Sequence, residues 1–238
     1  MSTIAETKSV VLVSGANGGI GSAVAREMMA AGYCVSLGDM DVNALTETYG
    51  PQSDDRIHAE YDALKRESSQ RWVDDTIAKF GRIDALINCS GSAERVTLFD
   101  DNEEALDRLW EINAKGPLRL TRQCLPYLEK SGRGRVINLV SLAGKRVKNT
   151  AVGYAMTKFA LLGVTHSIRT VTWDKGIRAT AICPGWVRTP MSTHCQTLER
   201  EDMTQPENVA ELVRTVIELP NNAAIGELLI NCEFEDVF

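Results

Sequence analysis

The sequence lacks any apolar run long enough to cross a membrane. Its longest, such as VVLV from Val10, are strand-sized, whereas a span needs about 20 apolar residues. The N-terminal stretch MSTIAETKS is polar and without the basic-then-apolar profile of a secretory signal, so a cytoplasmic protein with no membrane partner is expected. Clustered cations are scarce as well. Among 238 residues, 26 Lys and Arg face 32 Asp and Glu, a formal charge of −6. No basic stripe interleaves with aromatics, which argues against nucleic acid, because neutralising phosphates needs grouped Lys and Arg. The six cysteines (positions 34, 89, 124, 183, 195 and 232) include no C-x-x-C pair. No histidines accompany them at zinc spacing, so no metal is expected and the thiols read as reduced, small hydrophobes. Repeats, low-complexity tracts and linker-like shifts in composition are also missing. Residues 1–238 therefore read as a single domain, large enough for a buried core.

What is present is alternation. Strand-like runs at Ser9–Ser14, Cys34–Asp39, Arg56–Asp62, Asp84–Gly91, Gly134–Ser141, Ile177–Gly185 and Gly226–Asn231 are separated by helix-like segments. The helices are expected from Gly19 to a stop at Gly32, after an N-cap at Asp41, over Ser68–Gly81, from about Glu103 to Leu128 with a kink at Pro117, over Gly153–Trp173 and over Glu207–Leu219. Continuous apolar strands in such an order indicate a parallel sheet covered on both faces. The fold class is thus α/β: a doubly wound, mostly parallel seven-stranded sheet with helices on both faces, Rossmann-like. Ligands are expected at the carboxyl ends of its strands.

The first strand runs into SGANGGIGSAV, with Gly15, Gly19 and Gly21 at G-x-x-x-G-x-G spacing before a helix. Glycines admit the close approach of a pyrophosphate, and a helix N-terminus offers it free N–H groups. Asp39 ends the second strand, near the offset at which an acid hydrogen-bonds the adenosine ribose and repels a 2′-phosphate. No Arg or Lys stands in the glycine turn or beside Asp39 to offset that repulsion, so NAD is favoured over NADP.

Tyr154 and Lys158 lie four residues apart and share a helix face. A free phenol, with a pKa of about 10, is a poor base at neutral pH. A cation at about 4 Å contributes roughly 4 kcal/mol at an effective dielectric of 20, enough to bring it toward neutrality. The pair therefore reads as a phenol tuned to exchange a proton with an alcohol or ketone. Ser141, ending the fifth strand, is placed to hydrogen-bond the same substrate oxygen.

With these motifs in hand, the chain resembles the short-chain dehydrogenase/reductase family in its single-domain form, over nearly its whole length. SGANGGIG resembles the family's cofactor turn and NCSG (Asn88–Gly91) its motif after the fourth strand. Asn113 in EINAKG, Ser141, Tyr154 and Lys158 resemble its catalytic residues, and PGWVRT (Pro184–Thr189) its nicotinamide segment. The resemblance implies that Tyr154 is the general acid/base, that Lys158 lowers its pKa and holds the nicotinamide ribose, that Ser141 orients the substrate oxygen and that Asn113 holds a water in a proton relay. It implies NAD binding by Gly15, Asn17, Gly19, Ile20, Gly21, Asp39, Met40, Asp62, Ala63, Asn88, Ser90, Gly91, Tyr154, Lys158, Pro184, Gly185, Val187 and Thr189. Within that set Asp62 would bind the adenine amino group, and Val187 and Thr189 the carboxamide. The sequence departs from the family at Cys89 and Ser90, and in a tail, GELLINCEFEDVF, without the usual paired glycines.

Substrate selection is expected from the strand-end loops and a short lid over residues 190–205, where His194 reads as an exposed loop residue. Lys145, Arg146 and Lys148 read as a solvated charge run, with attraction of a carboxylate as the alternative. The expected function is an NAD(H)-dependent oxidoreductase moving hydride between a secondary alcohol, or its ketone, and the nicotinamide. NAD preference leans this toward oxidation. The alternative is a catalytically weak NAD-binding regulatory or scaffold protein. The partners are a small alcohol or carbonyl compound and further copies of the chain, in a homodimer or homotetramer built through Leu106–Leu128 and Tyr154–Trp173.

Overall fold

The computed structural model describes residues 8–148 and 150–235. The polar N-terminal stretch, apart from its last two residues, and the last three residues of the tail lie outside the described residues. Seven strands form: β1 (Val10–Ser14), β2 (Cys34–Asp39), β3 (Arg56–Glu60), β4 (Ala85–Asn88), β5 (Arg135–Leu139), β6 (Arg178–Pro184) and β7 (Glu227–Ile230). They pair in parallel in the order β3-β2-β1-β4-β5-β6-β7. The helices are α1 (Gly19–Ala30), α2 (Val42–Tyr49), α3 (Arg66–Phe80), α4 (Glu103–Trp110), α5 (Gly116–Lys130), α6 (Val152–Thr172) and α7 (Pro206–Glu218). This is the expected doubly wound sheet. Among the described residues no helix is long and apolar enough to cross a membrane.

Because side chains alternate along a strand, β1 feeds two cores. Val11 and Val13 pack with Val24 and Met28 of α1 and Val213 of α7. Val10 and Leu12 pack on the other face with Trp72 of α3 and Leu120 of α5. That two-sided burial explains why the strands read as unbroken apolar runs. Gly38 in β2 is a consequence of the second core: a Cβ there would stand 2.6 Å from the Trp72 ring. The indole N–H donates to Ser36 at 2.7 Å in the same strand.

Two elements differ from the sequence expectation. The fourth strand stops at Asn88, because the N–H groups of Cys89 and Ser90 donate to the Ser14 hydroxyl (3.1 and 3.2 Å) instead of to a neighbouring strand. The long helix expected from Glu103 is interrupted by a π turn over Glu111–Lys115, with the Gly116 N–H bonding the Glu111 carbonyl five residues back. Pro117 has no N–H to offer the Asn113 carbonyl four residues before it. The chain widens there into the π turn. In the strand order, the chain's path reverses between β1 and β4, so their carboxyl ends flank the crevice in which such sheets bind ligands.

Candidate active site

The glycine turn is built tightly at that crevice. Gly15 has φ of +66°, and a Cβ on it would meet the Ser90 backbone at 2.9 Å. A Cβ on Gly21 would stand 2.0 Å from the Gly15 carbonyl, and one on Gly19 would stand 2.5 Å from the Thr189 methyl. Only hydrogen fits at these positions, so the turn, Ser90 after β4 and the segment after β6 close on one another. α1 starts at Gly19 without a side-chain cap and without an acid in its first turn, leaving its first N–H groups for an anion.

Asp39 joins this turn. Its carboxylate accepts from the Asn17 N–H at 3.0 Å and from the Asp41 N–H at 3.5 Å, and an ionised carboxylate has further lone pairs for a ligand. Met40, beside it, is exposed. Asp62 and Ala63 follow β3: the Asp62 side chain accepts from the Leu64 N–H at 2.9 Å, and Arg119 donates to the Ala63 carbonyl at 2.9 Å. The buried side-chain oxygens of Asn17 and Asn88 have no protein partner. Such atoms are costly unless a ligand or water satisfies them, so the residues present fit a dinucleotide lying from the end of β2 across the turn to the end of β6.

The second half of the site is assembled from the π turn, β5 and α6. The Ser141 hydroxyl accepts from the Ala143 N–H at 3.0 Å and lies near enough to the Tyr154 phenol to draw its pKa down. Lys158 is buried, with Nζ 5.6 Å from the Tyr154 ring centre and donating to the Leu139 carbonyl at 2.8 Å. A Cβ on Gly91 would stand 3.4 Å from Asn113 Oδ1 and 3.6 Å from Lys158 Nζ; its absence leaves the space where these two groups meet. All four expected catalytic residues are therefore brought together. Pro184 ends β6 and its carbonyl accepts from Ser141 at 3.4 Å, while Gly185, Val187 and Thr189 continue along the cofactor crevice. Ile20 sits in the first turn of α1, half-buried.

The electrostatics differ from the sequence expectation. Burial pushes the Tyr154 phenol above its ordinary value, and only the Ser141 hydrogen bond pulls the other way. The Lys158 ammonium itself donates to the Leu139 carbonyl at 2.8 Å. Its own burial brings it down to about 8.

The segment expected as a lid starts with a short 3₁₀ turn, Pro190–Ser192, and returns where Val187 bridges Thr204. His194 is exposed, as expected, with its ring edge-on to Trp186 at 5.5 Å.

Residues 9–200 match the family described as short chain dehydrogenase. The chain belongs to this family. It is 44% identical over 229 residues to an agropine synthesis reductase of Rhizobium rhizogenes, covering 96% of this chain and 53% of that protein. A second agropine synthesis reductase of the same species is 42% identical over 226 residues, with 94% and 52% covered. The chain spans about half the length of these two curated relatives. Among solved structures, an alcohol dehydrogenase from the archaeon Thermococcus sibiricus complexed with 5-hydroxy-NADP superposes with a TM-score of 0.84 at 25% identity, covering 94% of this chain and 96% of the other. A variant of actinorhodin polyketide ketoreductase with NADPH gives 0.83 at 25% identity, covering 94% and 95%.

Several residues that hold this site together escaped the sequence reading. Asn88 donates to Asn138 at 2.8 Å, and Asn138 donates to Thr165 at 2.8 Å, tying β4, β5 and α6 into one polar chain through the core. Asn113 donates to Thr157 at 3.0 Å and to the Ser92 carbonyl at 2.8 Å, and accepts from the Ser92 N–H at 2.8 Å. Asn138 carried a signal, a lone amide inside an apolar strand. Thr157 and Thr165 carried none, since threonine on a helix is unremarkable until its burial is known. The departures at Cys89 and Ser90 are accommodated: Cys89 is half-buried, and Ser90 lies under Gly15.

Proposed function

We propose that the protein is an NAD(H)-dependent oxidoreductase that interconverts a secondary alcohol and its ketone, with Tyr154 as general acid/base. The observation that carries this reading is the nearness of the Ser141 hydroxyl to the Tyr154 phenol beside the buried Lys158 ammonium, whose Nζ stands 5.6 Å from the Tyr154 ring centre. Two hydroxyls so placed can both turn to one substrate oxygen. In the reductive direction Tyr154 gives its proton to that oxygen as charge develops, and Ser141 donates a second hydrogen bond that holds it. In the oxidative direction the phenolate takes the proton back. Bound nicotinamide supplies or accepts the hydride. Asn113 carries a water that re-protonates the site by way of Lys158, and Gly15, Asn17, Gly19, Ile20, Gly21, Asn88, Ser90 and Gly91 cradle the dinucleotide with Pro184, Gly185, Val187 and Thr189.

NAD is taken as the preferred cofactor because the Asp39 carboxylate, at the end of β2, would repel a 2′-phosphate, although the solved structures named above hold NADP-type ligands. The reductase names of the sequence relatives favour the carbonyl-to-alcohol direction over the oxidation that NAD preference alone suggested. A homodimer or homotetramer is part of the same reading: Met156 and Phe159 of α6 are exposed beside Trp110 and Val147, lining an apolar groove of about 360 Å³.

The test is reduction of a ketone, aldehyde and α-diketone panel with NADH and NADPH, followed as loss of cofactor absorbance. Tyr154→Phe is expected to lower kcat by about 10²–10⁴-fold while leaving the cofactor Kd unchanged. Turnover unaffected by this change removes the mechanism. NADH binding without turnover of any panel member by the wild type favours the catalytically weak scaffold.

A further inference from the structure

Of the expected solvated charge run, Lys148 is exposed, but Lys145 and Arg146 are half-buried and ion-paired. Lys145 pairs with Glu227 of β7 at 2.6 Å. Arg146 grips Glu235 with two hydrogen bonds, Nε to Oε2 at 2.8 Å and Nη2 to Oε1. Lys148 Nζ lies 3.4 Å from Glu235 Oε2. The carboxylate that this basic group holds is the chain's own, 89 residues away and only 8% exposed. The paired cations keep that carboxyl ionised, down to about 2, chiefly through the Arg146 hydrogen bonds.

What the ion cluster anchors is a stretch with no helix or strand, residues 231–235. Its near end is tied by the Gly185 N–H, which donates to the Ile230 carbonyl at 2.8 Å. Its far end is tied by Glu235. Between this stretch and the loop after β5 lies a cavity of about 250 Å³ lined by Leu142, Leu229, Asn231, Glu233, Phe234 and Glu235. Leu142 directly follows Ser141. Asn231 Oδ1 lies 2.6 Å from where a Cβ on Gly185 would stand. The cavity is thus lined by the residue next in sequence to Ser141 and by Asn231, which stands against Gly185 of the segment expected to hold the nicotinamide.

We propose that residues 231–235 form a wall of the substrate pocket, and that Glu235, gripped by Arg146 and Lys148, positions this wall and so limits the size of the ketone substituent the enzyme accepts. The proposal rests on the oxidoreductase reading above. A planar guanidinium–carboxylate pair fixes both distance and orientation, which a short irregular segment cannot do for itself. Leu142 and Leu229 offer apolar surface and Asn231 a hydrogen bond, so the cavity takes a compact, uncharged carbonyl substituent. Glu235, Arg146 and Lys148 are positioning residues, acting through the wall rather than on the reacting atoms.

Two α-diketones with the same reacting group, diacetyl and its phenyl analogue acetylbenzoyl, test this with the preferred reduced cofactor. The readout is the ratio of their kcat/KM values, which does not depend on how much of a preparation is folded. Glu235→Ala is expected to raise the acetylbenzoyl-to-diacetyl ratio by about tenfold or more, the scale of a pocket-wall change, mainly through KM of the larger ketone. Cofactor Kd, from protein fluorescence, stays at the wild-type value. The charge exchange Arg146→Glu with Glu235→Arg returns the ratio toward wild type. A ratio unmoved by Glu235→Ala overturns the wall while leaving the oxidoreductase reading intact, and an exchange variant as shifted as Glu235→Ala overturns the role of the ion pair. Wild-type protein inactive on the whole carbonyl panel removes the reading itself, and the wall with it.

Discussion

The side-chain amide of Asn113 donates to the Thr157 hydroxyl at 3.0 Å, and that hydroxyl donates to the Tyr154 carbonyl at 2.8 Å. One threonine thus joins the π turn to the helix that carries the phenol. Thr157→Val keeps the shape and deletes the acceptor, leaving the buried amide short of a partner. The expected result is a fall in kcat of about 5- to 150-fold, from about 1–3 kcal/mol of mispositioning, with cofactor affinity unchanged and activity restored by Thr157→Ser. A loss of cofactor affinity that matches the loss of rate would assign Thr157 a different role.

Lys158 carries a pH signature. Burial brings its ammonium from the ordinary 10.5 down to about 8. Between those values the unfolded chain binds the proton and the folded protein does not, so this residue makes stability rise with pH across that window. At pH 7 the charged lysine is a net cost. Lys158→Met is therefore expected to raise the unfolding free energy by about 1–3 kcal/mol at neutral pH while abolishing turnover. Denaturant melts from neutral to alkaline pH check this, and an identical slope in both proteins would contradict it.

Asp39 serves both the glycine turn and, in the proposed reading, the ribose. Asp39→Ala is expected to weaken binding of both cofactors by loosening the Asn17 N–H, and to narrow the NAD-over-NADP ratio by about tenfold or more, the worth of a charge-assisted hydrogen bond. Asp39→Asn, which keeps an acceptor, narrows it less. Direct titration of both cofactors decides, and selectivity unaltered in Asp39→Ala refutes the ribose assignment.

Gly38 is a packing prediction, independent of function. Gly38→Ala drives a methyl against the fully buried Trp72 ring at 2.6 Å. Overpacking of this kind costs about 1–3 kcal/mol, read as a lower denaturation midpoint. Gly38→Ala combined with Trp72→Phe recovers part of the loss.

Much of this was legible in order along the chain. The strand and helix boundaries that the sequence missed are those set by distant partners: β4 ends early because Ser14, some 75 residues away, captures the next N–H groups. The π turn is half legible, since Pro117 withholds an N–H from Asn113, but whether the chain kinks or widens depends on what packs around it. Asn138 announced itself as an amide in an apolar strand; Thr157 and Thr165 could not. The pairing of Lys145 and Arg146 after β5 was not legible because their counterions, Glu227 and Glu235, stand 82 and 89 residues further along the chain.

The sequence by itself determined the alternation of strands and helices, the glycine turn and the four-residue spacing of Tyr154 and Lys158, because periodicity and steric freedom are local properties that neighbouring residues carry. Tertiary structure alone decided that Ser141 meets Tyr154, that the Lys158 ammonium turns to Leu139, and that Arg146 holds Glu235. A polar group withdrawn from water must find a partner within about 3 Å, and only the packed sheet settles which groups come that close.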